Sequence, residues 1–117
     1  MQITQNQNAI RIWKNLELNI IYAGHAIVGQ DWKEPKVCSP FSRIYYIVDG
    51  EGILTVNGQR IVLKKGSVWL VPAGMTFGYF CESSMEQLFF HLNVLCSDGT
   101  DLLYGVRQLL SLIHISE

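Results

Sequence analysis

Charge is scarce in this chain, and neither sign prevails. Ten acids and nine bases are scattered over 117 residues, leaving a net charge of −1. No basic stripe is present to displace counterions from a nucleic acid backbone, so these residues by themselves are not expected to grip DNA. No apolar run approaches the length that spans a bilayer. The start MQITQNQNAI has neither the basic residues nor the apolar stretch of a secretory leader. The three cysteines are an odd number and frame no obvious disulfide set, and the expected compartment is the reducing cytosol. Nor is the chain expected to be disordered. A content of 49% hydrophobic against 16% charged residues describes a folded domain. At this length it is one domain, able to remove roughly two-thirds of its unfolded surface from water.

What the sequence does have is concentrated in residues 43–81. Four short runs rich in β-branched and aromatic residues are punctuated by Asp49-Gly50-Glu51-Gly52, Asn57-Gly58, Lys64-Lys65-Gly66 and Pro72-Ala73-Gly74. The pattern predicts strand, turn, strand, repeated. Asn57-Gly58 is a hairpin signal, because both central residues of a type I′ turn need positive φ and these two tolerate it.

Around this block the rest of the chain follows in order. Residues 16–23 alternate well enough for a strand with Leu16, Leu18, Ile20 and Tyr22 on one side, and Gly24 is expected to end or bend it. Residues 26–36 contain Gly29, Asp31 and Pro35 and read as a loop; Trp32 within it either stacks on a ligand or lids the core. His25, alone at the break, is given no role. In the central strand Arg43, Tyr45 and Ile47 share one face. Residues 85–95 place Leu88, Phe90, Leu92 and Val94 on an apolar face and Gln87, Phe89, His91 and Asn93 on a mixed one. After the break at residues 96–100, Asp98 or Thr100 is placed to cap a helix DLLYGVRQLL with an apolar stripe of Leu102, Leu103, Val106, Leu109 and Leu110.

Two spacings have a wider resemblance. Gly66, Pro72 and Gly74 spell G-x5-P-x-G, and Arg43 is followed by six residues and Gly50. Together these resemble the paired signatures of the cupin superfamily, which implies an all-β jelly-roll barrel. The resemblance also assigns positions to metal ligands. The glutamate position is Arg43, the upstream histidine positions fall on Lys36 and Cys38 or on Val37 and Ser39, and the last histidine position is Phe77. A divalent metal wants imidazole, carboxylate or thiolate, so no metal and no other cofactor is expected here.

The ordered set Arg43, Tyr45-Tyr46-Ile47, Gly50, Gly52, Gly58, Leu63, Gly66, Val71-Pro72-Ala73, Tyr79 and Phe90-His91 further resembles the N-terminal domain of AraC-type transcription regulators. The resemblance implies a cupin barrel that binds a small polar effector, commonly a sugar. It also implies homodimer formation through following helices, and DNA contact only through a helix-turn-helix part that is missing here. By position it carries Arg43, Tyr79 and His91 over as effector contacts; Trp32, Tyr45, Phe77 and Asn93 complete the expected ligand-binding set. The expected division is an arm over residues 1–15, a barrel over 16–96, the start of a dimerisation helix over 97–109 and a tail over 110–117. The tail matches the translation CTG TCT CTT ATA CAC ATC TCC GAG of a sequencing adapter and is expected to be a read-through scar on a truncated gene. The rival expectation is a metal-free sugar isomerase or epimerase using His91 with Tyr45 or Tyr79 as acid and base.

Overall fold

The computed structural model describes residues 15–106 and 108–113, so the arm over residues 1–15 lies almost wholly outside the described residues. Those residues form eight strands in order: β1 (Glu17–Val28), β2 (Lys33–Val37), β3 (Ser42–Val56), β4 (Gln59–Lys64), β5 (Val68–Val71), β6 (Phe77–Phe80), β7 (Met85–Leu95) and β8 (Leu110–Ile113). The all-β barrel expected from the resemblance is present.

β3 organises the barrel. Its first half pairs with β5 and β7, and its second half with β4 and β6. One sheet therefore runs β1-β7-β3-β5-β8, and the other joins β2, β6, β3 and β4. The strand passes between them where its register with β7 shifts, between Ile47 and Asp49. Gly50 takes the turn at φ +72°, in the left-handed region that an L side chain enters only at a cost. Asn57 and Gly58 at φ 51° and 78° form the predicted two-residue connection between β3 and β4.

Alternation aims Tyr45 and Ile47 of β3 inward and, after the register shift at residues 47–49 changes the parity, Leu54 as well, to meet Leu63, Val71, Met75, Phe77, Cys81 and Met85 in one core. The Pro72-Ala73-Gly74 turn is held to β3 by the buried Ser42, whose Oγ accepts the Ala73 N–H at 2.9 Å.

Four expectations need correction. Gly24 does not end β1, which continues to Val28; it is where the strand passes beneath an aromatic ring, since a Cβ there would lie 2.5 Å from Phe89 Cζ. Residues 26–36 are accordingly the end of β1, a turn and β2, and not a loop throughout. Leu16, Leu18, Ile20 and Tyr22 do not share a face, because an irregularity between Ile20 and Tyr22 shifts the register against β7. The helix expected over residues 97–109 is not seen in its described part. Asp101 bridges to Leu95 and its carboxylate accepts the Leu103 N–H at 2.8 Å, tying the segment into turns, and Gly105 sits at φ +96°. Local side-chain bonding of this kind competes with helix. Further on, Leu110 and Ser111 of the tail pair with Leu70 and Trp69 of β5; an alternating apolar segment matches an open strand edge whatever its origin.

Candidate functional site

A cavity of about 280 Å³ opens on the inner side of the wider sheet. β7 contributes Gln87, Phe89 and His91, β3 contributes Arg43 and Tyr45, β1 contributes Ala26 and Val28, and Trp32 closes it from the turn before β2. The mixed face of β7 thus lines the barrel, and the register is the cause: Arg43 stands opposite His91 and Tyr45 opposite Phe89, so their side chains leave the same face of the sheet.

Arg43 is the electrostatic centre. Its Nη2 donates to Ser39 Oγ at 2.9 Å, while Nη1 reaches Tyr45 Oη only at 3.5 Å, too long for a strong bond. The guanidinium carbon lies 5.2 Å from the Phe41 ring centre and 5.5 Å from that of Phe77, within cation–π range of both. Nε is buried and has no partner among the described residues; the same holds for Oε1 of Gln87, a residue only 3% exposed.

The titratable neighbours respond to burial and to this charge. Burial pushes the Tyr45 phenol up, with Arg43 pulling the other way. Burial also raises Tyr79, against Arg43 and with a smaller contribution from Glu34. Burial first, and then the Arg43 charge, hold His91 below the usual imidazole range. His91 is therefore a neutral ring at pH 7, stacked on Phe41 with ring centres 4.6 Å apart.

Of the seven expected site residues, Trp32, Arg43, Tyr45 and His91 meet in this cavity. Tyr79 lies behind its wall, with its ring centre 4.2 Å from Trp32. Phe77 is a core residue beneath Arg43, 3% exposed and not part of the lining. Asn93 is elsewhere: its Nδ2 donates to Pro40 O at 3.0 Å and to Asp101 Oδ2 at 2.6 Å, bracing the turn after β7. Gln87 and Phe89 were not in the expected set. The signal for them was their place on the mixed face, four and two residues before His91 respectively.

The donor set does not fit a divalent metal. Among the described residues no three His, Cys, Asp or Glu side chains come together, and a guanidinium stands at the position that the cupin resemblance gives to a carboxylate. A larger groove of about 640 Å³ lies over the paired strands β2 and β6. Its charged residues Lys33, Glu34 and Glu82 are exposed to solvent. No described helix is long and apolar enough to cross a membrane.

Comparison with known proteins agrees with the geometry. A family model described as "Cupin domain" matches residues 28–92. No curated protein sequence matches the chain. Among solved structures it is similar to the EutQ protein of Clostridium difficile, with a TM-score of 0.53 and 10% identity over 65% of this chain and 66% of that one. The chain thus spans about two thirds of that protein. It is similar also to a predicted oxalate decarboxylase from Thermotoga maritima, with a TM-score of 0.53 and 18% identity over 75% and 74% of the two chains. A cupin superfamily protein from Desulfitobacterium hafniense gives a TM-score of 0.53 and 17% identity over 79% and 83%. At these identities the likeness shows the fold alone.

Proposed function

Because the chain belongs to the family of cupin domains, we propose that its barrel serves as a receptor for a small organic effector, with side chains taking the place of a metal centre. The observation that carries this is a pair of buried polar atoms without partners among the described residues, Arg43 Nε and Gln87 Oε1, on two side chains that line one cavity. Buried polar groups are nearly always satisfied, so two exceptions on side chains that line a concave, mostly aromatic cavity favour a ligand toward which these side chains turn.

In this reading the domain is the sensing part of an AraC-type regulator, and a helix-turn-helix part outside this sequence contacts DNA. Effector binding shifts the balance between two arrangements of the assembly. Pairing of two copies belongs to the same reading. Leu18, Ile20 and Ile27 of β1 stand 63%, 55% and 72% exposed on the outer face of the wider sheet, and a second copy would cover them. Sedimentation of Leu18→Lys/Ile27→Lys against the original chain tests this: a monomer at every concentration for both proteins removes the dimer.

The effector reading is tested by calorimetric titration and thermal shift with a panel of sugars, polyols and small organic acids. At least one binder is expected, with quenching of Trp32 fluorescence that is lost in Trp32→Phe. A panel that leaves heat and melting temperature unchanged removes the reading. An isomerase is the second reading, since His91 and Tyr45 share the cavity; it requires turnover that His91→Ala abolishes.

A further inference from the structure

The ion pairs among the described residues are His25 with Glu86 and Lys65 with Asp49, both outside the cavity. Arg43, which lines the cavity, thus has no carboxylate of the described residues in ion-pair reach. Of the five N–H donors of a guanidinium, the described contacts use one from Nη2 well and one from Nη1 poorly. Gln87 lines the same cavity, and its amide oxygen, closed off from solvent, has no donor among the described residues.

Resting on the reading that the cavity holds an organic molecule, we infer that this molecule is a small, flat hydroxy acid, its carboxylate on Arg43 and its hydroxyl on the Gln87 amide oxygen. A neutral sugar would satisfy the hydrogen bonds but leave the half-buried cation uncompensated, whereas a carboxylate matches both the charge and the planar fork of arginine. A phosphate dianion would call for a second cation, and none lines the cavity. His91 is held neutral by burial and by Arg43 itself. The remaining walls, Trp32, Tyr45, Phe89 and His91, offer ring faces and edges to a flat body. The volume of about 280 Å³ equals about nine waters at roughly 30 Å³ each, which suits one ring with its substituents.

The test titrates the full chain with four probes: para-hydroxybenzoate, benzoate, para-hydroxybenzamide and glucose. Trp fluorescence and calorimetry are read in the original protein, in Arg43→Gln and in Gln87→Leu. The hydroxy acid is expected to bind the original protein roughly tenfold to a hundredfold more tightly than its amide, the range for a hydrogen bond to a charged group. In Arg43→Gln acid and amide are expected to bind alike. In Gln87→Leu the acid preference persists, while the advantage of hydroxybenzoate over benzoate, about fivefold for a neutral hydrogen bond, disappears.

Amide or glucose binding as tightly as the acid overturns the inference and leaves the effector reading standing. So does silence from all four probes when the wider panel yields a ligand. Silence from every compound overturns both. Should Arg43→Gln fail to fold, the comparison of acid with amide on the original chain decides alone.

Discussion

His91 shows how one charge shapes its surroundings. Its ring is held below the usual imidazole range by burial first and by Arg43 second, so in Arg43→Gln its titration midpoint, followed by NMR, is expected to rise only part of the way toward about 6.5. The stability consequence has a definite sign. With the folded pKa below the unfolded one, the unfolded chain binds more protons between the two values, and stability increases with pH there. The His91 contribution is complete above about pH 6.5 and fades as pH falls through the unfolded and then the folded pKa. Urea midpoints across that window are expected to slope less in Arg43→Gln; equal slopes would mean that Arg43 does not act on the ring. Alternation made Arg43, Tyr45 and His91 legible as neighbours, because it fixes which face a residue takes. It does not fix how far along the strand the cavity extends, which is why Asn93, on the same face as His91, was expected in the site and instead braces Pro40 and Asp101.

At the scale of elements, glycines that look alike in sequence differ by what surrounds them. Gly58 sits at φ +78° with nothing within 4 Å of an added Cβ, so Gly58→Ala costs only the left-handed strain, about 1 to 2 kcal/mol. Gly50 has a similar φ of +72°, but its added Cβ would lie 2.2 Å from the backbone oxygen of Ser84, just ahead of β7. Backbone cannot give way as a side chain can, and Gly50→Ala is expected to cost roughly 3 kcal/mol or more, in the long tail of single substitutions. Urea denaturation of the two variants checks the order; equal losses would mean that the passage of β3 between sheets is not pinned there. The strands and the hairpin were legible because turn chemistry and period 2 are local. The absent helix was not: its apolar stripe and cap were sound, but Asp101 spends its carboxylate on the Leu103 N–H and on Asn93, and the partner of that network lies eight residues away on β7.

For the whole molecule, a receptor and a merely packed barrel predict opposite responses to the same change. A cavity that keeps an uncompensated guanidinium and an unsatisfied amide is held against the stability of the empty fold, and sites of this kind are where stability and function trade off. Replacing both groups by apolar side chains of similar reach, Arg43→Met with Gln87→Leu, removes the desolvated polar atoms. It forfeits the Ser39 bond and the contacts with Phe41 and Phe77, which a methionine sulfur on aromatic rings partly restores. The balance is expected to favour the variant by about 1 kcal/mol, the low end for apolar replacement of buried charged groups, because Arg43 is only half-buried. At roughly 4 to 8 °C per kcal/mol for a domain near this size, the melting temperature should rise visibly while every ligand of the cavity is lost. If instead the double variant melts well below the original chain, Arg43 and Gln87 are structural members of a self-satisfied interior. The unpartnered atoms would then have partners that form only in solution, and the domain would be a scaffold in place of a sensor.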